Sequence, residues 1–206
     1  MENVKQKWNL KTLFMNYSVY IVLIVLVAYF SLANGDFLST YNVENFLQQI
    51  PPVGILTVAY GMVLICGYVD LSIGYVGMAA GMVGLYTANL GMPAPLVIVI
   101  SLCVGALLGI MNALLIKKFD LPAFILTLGT SYVIKGMLGF FTDEQFIGSE
   151  TEWFSKLAKT PIGTEMIKSN ALIFAIVIII FVFIMNKTRL GKYTYAVGSN
   201  QEAARL

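Results

Sequence analysis

Long apolar stretches separated by short polar segments dominate the pattern along the chain. A helix needs about 20 mostly apolar residues to cross a bilayer, and six stretches approach that length. They cover residues 17–32, 52–66, 73–90, 95–116, 122–141 and 171–186. The pattern predicts an all-α, polytopic membrane protein with about six transmembrane helices, forming part of a larger bundle.

The first apolar stretch resembles a retained anchor more than a cleaved signal peptide. It begins late in the sequence, and Ser31, Ala33 and Gly35 make only a weak cleavage site. We therefore count it as the first transmembrane helix.

Lysine and arginine positions predict the orientation of these helices, because cytoplasmic loops are enriched in both. If the N-terminus is cytoplasmic, three basic residues lie outside the cell, Lys135 lies within a span, and nine of 13 fall inside. These nine are Lys5, Lys7, Lys11, Lys117, Lys118, Lys187, Arg189, Lys192 and Arg205. Both termini are therefore predicted to be cytoplasmic.

Small and polar residues interrupt the apolar spans. Glycines share one helix face at Gly74, Gly77, Gly81 and Gly84, and Gly105 and Gly109 form a GxxxG pair. Small residues allow close helix packing in lipid, and this is the favoured interpretation. Asn112 is predicted either to face the bundle or a pore, or to form an ordinary interhelical hydrogen bond. Lys135 either extends to the outer interface or lines a pore.

Residues 142–169 form the single long outer loop of this topology. Trp153, Phe154, Leu157 and Ala158 recur at helical spacing opposite Glu150, Glu152, Lys156 and Lys159. The spacing predicts a short amphipathic helix at the outer surface. An interfacial position among lipid headgroups is favoured over a docking surface.

Composition narrows the classes of function. The chain is 58% hydrophobic and 12% charged, about half the charge of a typical soluble domain, with a mean hydropathy of +0.81. It has no histidine and no GxxxxGK[ST] phosphate loop. Cys66 and Cys103 lie in apolar runs and are interpreted as small buried thiols, with no disulfide or zinc site. These features disfavour an enzyme and predict that this chain binds no metal or nucleotide.

A carboxylate lies in the short polar link GYVDLSIG, residues 67–74. Gly67 and Gly74 give the link backbone freedom. Asp70 or Ser72 is predicted to cap the next helix, where a carboxylate also suits the helix dipole. The alternative is that the link belongs to a translocation unit, where broken helices line a path.

Five segments in order resemble one family, the membrane permeases of ribose-type ABC sugar importers. The link 67–74 is similar to the family's glycine–glycine–x–Asp–Leu–Ser–x–Gly signature, with Tyr68 in place of the second glycine. The other four are FLSTYNVENFL (37–47), GIMNALLI (109–116), LPAFILTLGT (121–130) and NKTRLGKYTYAVGSNQEAARL (186–206). Ala113 and Ser199 also replace family glycines. Because the family continues beyond residue 206, the chain resembles an N-terminal portion or a truncated product.

The resemblance implies a single permease domain over residues 1–206 in the bacterial cytoplasmic membrane. It also implies a second permease copy, a cytoplasmic ATPase that uses ATP, and an extracellular or periplasmic sugar-binding protein, with lipid around the bundle and no nucleic acid. The implied signature and translocation residues are Gly67, Asp70, Leu71, Ser72, Gly74, Asn112, Phe124 and Thr127. The implied ATPase-docking residues, within 187–206, are Gly198, Asn200, Glu202, Ala203, Ala204 and Arg205.

The docking stretch has a local signal of its own. Ser199 and Glu202 are spaced as a capping box, which predicts a short helix starting near Asn200.

The resemblance predicts import of a pentose or hexose by alternating access, driven by the ATPase. An ion-coupled secondary transporter and a non-transporting membrane fragment are the alternatives. A membrane enzyme is less favoured, because catalytic groups are scarce.

Overall fold

A computed structural model describes residues 10–145 and 147–205, and eight α-helices lie within these ranges. They are α1 Leu10–Ala33, α2 Thr40–Ile65, α3 Ile73–Asn89, α4 Ala94–Phe119, α5 Ala123–Thr142, α6 Glu152–Lys159, α7 Ser169–Lys187 and α8 Arg189–Ser199. A two-stranded antiparallel hairpin, β1 Pro161–Ile162 and β2 Thr164–Lys168, follows α6, and a 3₁₀ turn covers Ala203–Arg205. The predicted all-α fold class is confirmed, with this small hairpin as an addition.

All six predicted spans are helical. Four helices in the described part are long and apolar enough to cross a bilayer, namely α2, α4, α5 and α7. The apolar segment Tyr17–Ala33 of α1 and the 17-residue α3 are shorter. The chain is a multi-pass membrane protein.

The chain divides into two compact units, residues 1–46 and 47–206. In the first unit the rings of Phe30 and Phe37 stack with centroids 5.7 Å apart. The side-chain amide of Asn42 donates to the carbonyl of Phe37 over 2.7 Å, which fixes the turn between α1 and α2. The prediction of one domain over the whole chain stays a prediction.

In the second unit α3 packs against both α4 and α5, which also contact each other. The start of α3 lies at the start of α5, because the Leu71 amide donates to the Thr127 hydroxyl over 3.1 Å. The end of α3 lies beside the segment that follows α5, because the side-chain amide of Asn89 donates to the carbonyl of Gly148 over 3.1 Å. Helices α3 and α5 therefore run in the same direction.

Helix α2 starts earlier than the predicted span, at Thr40, and continues through Pro51 and Pro52. Proline has no amide hydrogen, so Pro52 leaves the carbonyl of Gln48 without its usual helical donor. The side chain of Asn170, at the start of α7, donates to that carbonyl over 3.0 Å. A partner on another helix thus satisfies the exposed backbone group, as apolar surroundings require.

The predicted outer-loop helix is confirmed as α6. Glu152 and Lys156 form an i,i+4 ion pair of 2.6 Å on its polar side, and Trp153 and Phe154 are half-buried. The hydroxyl of Ser169 donates to the carbonyl of Leu157 over 2.7 Å, which fixes α6 to the start of α7.

The glycine stripe of α3 does not form one packing surface. Gly77 faces Leu56 of α2, and a Cβ on Gly84 would overlap the hydroxyl of Ser101 on α4. Gly74 and Gly81 have open space where a Cβ would lie. The reason is that α3 contacts helices on two sides, so glycines on one helix face meet different neighbours.

Two local expectations were wrong. Ser199 is the last residue of α8 and is not the N-cap residue that the predicted capping box required, although a short 3₁₀ helix does follow near Asn200, as expected. Asn200 instead accepts the amide of Ala203 over 3.0 Å and caps the 3₁₀ turn. Cys103 is exposed on α4, and Cys66 is half-buried; both thiols are free.

Candidate functional site

The link between α2 and α3 begins with a left-handed glycine. Gly67 has φ +84°, a conformation that costs other residues a steric penalty. Its amide donates to Leu64 over 2.9 Å, and the Tyr68 amide donates to Val63 over 3.1 Å. This pair of bonds is a Schellman motif, and it ends α2.

Asp70 is bound to the residue that precedes α3. One carboxylate oxygen, Oδ1, accepts the Ser72 amide over 2.7 Å and the Ser72 hydroxyl over 2.6 Å. Ser72 is the N-cap residue of α3, but neither side chain accepts an amide from the first turn of the helix. The capping expectation is therefore corrected: Asp70 holds the N-cap residue itself, through a short local loop.

Asn112 joins this loop to α4. Its side-chain amide donates to the Ser72 hydroxyl over 2.8 Å, and both residues are buried. The hydroxyl thus donates to Asp70 and accepts from Asn112. Among the described residues, Asn112 Oδ1 is a buried polar side-chain atom without a hydrogen-bond partner. Asn112 therefore faces the bundle and also forms an interhelical hydrogen bond, so these two predicted roles coexist, and a role in a pore stays a prediction.

Two hydroxyls of α5 hold the backbone of Leu71. Thr127 Oγ1 accepts the Leu71 amide over 3.1 Å. Ser131 Oγ lies 2.8 Å from the Leu71 carbonyl and 2.7 Å from the Thr127 carbonyl, so these two acceptors share its one proton. Thr127 is fully buried and Ser131 nearly so. Both backbone groups of Leu71 are therefore paired with side chains rather than with another backbone.

Together these bonds form what we call the DLS junction, residues Asp70, Leu71, Ser72, Asn112, Thr127 and Ser131. It connects the starts of α3 and α5 to the last third of α4. Ser131 was missed by the sequence analysis, although its i+4 spacing from Thr127 places it on the same helix face. Phe124, predicted as a site residue, is half exposed and lies outside the junction.

The predicted docking segment folds back on the bundle. A Cβ on Gly198 of α8 would overlap the carbonyl oxygen of Ile65, at the end of α2. The Cys66 thiol lies 3.8 Å from the carbonyl of Thr194, also in α8. Gly198 therefore packs against this chain, whereas Asn200, Ala203 and Ala204 are exposed beyond it. Glu202 is exposed as well, and the side chain of Arg205 lies outside the described residues.

The family comparison matches residues 42–206 to the family described as branched-chain amino acid transport system / permease component. Ribose import permease protein RbsC of Haemophilus influenzae is 31% identical over all of this chain and 64% of its own length. Fructose import permease protein FrcC of Rhizobium meliloti is 27% identical over 90% of this chain and 54% of its own length.

Galactose/methyl galactoside import permease protein MglC of Escherichia coli is 30% identical over 91% of this chain and 61% of its own length. The chain thus spans between about half and two thirds of the length of these relatives. No solved structure matches the chain.

Proposed function

Because the chain belongs to the family of branched-chain amino acid transport system permease components, we propose that it is the permease subunit of an ABC importer. It moves a monosaccharide, a pentose or hexose, across the bacterial cytoplasmic membrane. The observation that carries the proposal is that curated relatives matching 90–100% of the chain are named for ribose, fructose and galactose import. The chain itself makes no covalent change in the sugar.

The family description names branched-chain amino acids, whereas these relatives are named for sugars. We favour the sugar because the individual relatives align over nearly the whole chain, whereas the description covers a broad family. A branched-chain amino acid is the second candidate substrate.

The DLS junction supports a movement of helices as a unit. It joins α3, α4 and α5 at one end through buried hydrogen bonds between residues 40 to 60 positions apart. Breaking a buried bond of this kind leaves an unpaired polar group, which costs about 1–3 kcal/mol. Rocking of these helices between two arrangements therefore keeps the junction intact and opens the path at alternate ends.

Partner proteins supply the energy, the delivery of substrate and the other half of the path. A cytoplasmic ATPase hydrolyses ATP and pushes the exposed segment beyond α8, and an external sugar-binding protein delivers the substrate. A second copy of the permease completes the path. No cofactor is bound by this chain.

Uptake into proteoliposomes tests the proposal. Vesicles containing the chain and its ATPase, with binding protein outside, receive radiolabelled ribose, galactose, fructose or leucine. We expect uptake of one of the sugars with ATP inside, and none with a non-hydrolysable analogue. Uptake on a proton or sodium gradient without ATP would establish the secondary-transporter alternative, and uptake of leucine alone would replace the sugar as substrate.

The docking of the ATPase has a separate test at the exposed turn after α8. Ala203→Trp adds bulk where close contact is proposed, and overpacking an interface typically costs about 1–3 kcal/mol, or roughly tenfold or more in affinity. Ala158→Trp, on exposed α6, is the matched control. We expect only the first variant to lose ATPase during purification. Full retention by Ala203→Trp would reject this segment as the docking site.

A further inference from the structure

A groove runs along the face that α3 and α5 share. Its volume is about 1370 Å³, and it extends from Leu71 in the DLS junction to Gln145, beyond the end of α5. Side chains of Tyr75 and Tyr132 line it. Closed ligand sites usually hold about 300–1,000 Å³, so this longer, open groove resembles a path more than a sealed pocket.

Lys135 lines the groove and is the one charged residue of α5. It lies seven residues before Thr142, where α5 ends, and its side chain is exposed. No ion pair involves Lys135 within residues 10–145 and 147–205. An ionisable side chain within a membrane span is costly, so it is retained where it faces a polar path or a partner.

A carboxylate acceptor lies further along the same groove, towards the end of α5. The side chain of Glu144 folds over Gly139, so that a Cβ there would lie 3.8 Å from its carboxylate oxygen Oε1. Gly139 is four residues after Lys135, a rise of about 6 Å along the same helix face. Beside Lys135, Gly136 has open space where a Cβ would lie. The groove therefore presents an ammonium donor, the carboxylates of Asp143 and Glu144 and two phenol rings along its length.

We infer that this groove contacts the sugar during translocation and that Lys135 is a specificity-determining residue in it; the inference rests on the proposed function. A monosaccharide carries hydroxyls that both donate and accept hydrogen bonds, together with apolar C–H faces. The lysine only donates and an ionised glutamate only accepts, so the pair fixes the orientation of the hydroxyls between them. The tyrosine rings offer flat apolar surfaces and a polar tip for the remaining faces.

Uptake by lysine variants tests the role of the charge. Lys135→Met removes the donor, Lys135→Arg keeps it, and Lys159→Met on α6 is a control outside the groove. At saturating sugar we expect Lys135→Met to lose at least tenfold in maximal uptake and to change the relative rates for ribose, galactose and fructose. Lys135→Arg should keep at least a third of the rate. Unchanged rates and unchanged sugar preference in Lys135→Met would overturn the role of this residue.

Protection of an introduced thiol tests the groove without relying on transport. Gly136→Cys is sterically allowed and faces the groove, and Gly109→Cys on α4 is equally open but lies outside it. Both variants are made in a chain in which Cys66 and Cys103 are replaced by serine. We expect a charged thiol reagent to modify position 136, and saturating sugar with the assembled transporter to slow that reaction at least fivefold. Position 109 should react slowly and without a sugar effect.

Failure of the proposed function and failure of the inference about the groove give different results. If the unmodified chain takes up none of the sugars, the proposed function fails. If it takes up sugar but position 136 is unreactive, lipid or protein fills the groove and the inference fails alone. Reaction at 136 with no effect of sugar overturns the inference in the same way, even if Lys135→Met does not reach the membrane.

Discussion

Two threonines of α5, one inside the DLS junction and one outside it, form different hydrogen bonds. Thr127 donates to the carbonyl of Ala123 in its own helix and accepts the amide of Leu71 from another segment. Thr130, one turn further, donates only to Leu126 in its own helix. The two threonines are both buried on α5, so they form a natural comparison.

Thr127→Val should lower the stability of the protein by about 1–3 kcal/mol, because a valine of similar shape leaves the Leu71 amide unpaired. Thr130→Val should cost clearly less, since only a bond within one helix is lost. Tryptophan fluorescence during denaturant or thermal unfolding in detergent measures the difference. Equal losses in both variants would mean that the bond to Leu71 contributes nothing.

Substitutions of Asp70 distinguish the role of its hydrogen-bond acceptor from the role of its negative charge. Asp70→Asn keeps an oxygen that accepts from Ser72, so we expect a loss of about 1 kcal/mol or less, whereas Asp70→Ala should cost about 1–3 kcal/mol. If Asp70 serves only to hold the N-cap residue, the Asn variant transports normally. A well-expressed, stable Asn variant without transport would instead assign the charge a role in gating.

At the level of elements, α8 depends on close approach to the end of α2. A Cβ on Gly198 would overlap the Ile65 carbonyl, and a backbone atom cannot move away as a flexible side chain could. Thr188 is the N-cap residue of α8, and its hydroxyl accepts the Gly191 amide over 3.4 Å. The start of α8 is thus fixed locally, while its end is held by packing.

Gly198→Ala should detach the end of α8, although alanine is the better helix former by about 1 kcal/mol. We expect chymotrypsin to cut at Tyr195, in the second half of α8, severalfold faster in inside-out vesicles. Gly109→Ala, at an open helical position, should leave the rate unchanged. A Gly198→Ala variant with wild-type protection would show that α8 does not need this contact.

For the whole molecule, the distribution of charge agrees with alternating helix directions. The ends of α4 and α7 carry Lys117, Lys118 and Lys187, and α6 with its hairpin lies at the other end of α7, where that helix starts. Basic residues concentrated at one end favour a cytoplasmic position for that end.

Accessibility of introduced cysteines checks this orientation. In a background without Cys66 and Cys103, cysteines near Lys118 and Lys192 should be shielded from an impermeant thiol reagent in intact cells. A cysteine near Glu150 should react. Lysed cells provide the control for reactivity at all three positions. Labelling near Lys118 in sealed cells would reverse the predicted topology.

The sequence by itself determined the membrane class, the positions of six helices, the amphipathic α6 and the resemblance to permeases. These follow from hydropathy and periodicity over neighbouring residues, which act locally along the chain. The sequence did not show that α2 continues through Pro51 and Pro52. The carbonyl of Gln48, which has no helical donor, is satisfied by Asn170, far along the chain.

Only the tertiary structure decided the partners of the candidate site. Asp70 or Ser72 was expected to cap α3 with its side chain. Ser72 does occupy the N-cap position, but Asp70 accepts from Ser72, and the Ser72 hydroxyl accepts from Asn112, 40 residues away. Likewise, only the structure shows that Ser131 bonds to Leu71 in the site and that Gly198 packs against the end of α2. The physical reason is that hydropathy and helix propensity depend on nearby sequence, whereas the pairing of a buried polar group depends on which helices meet in space.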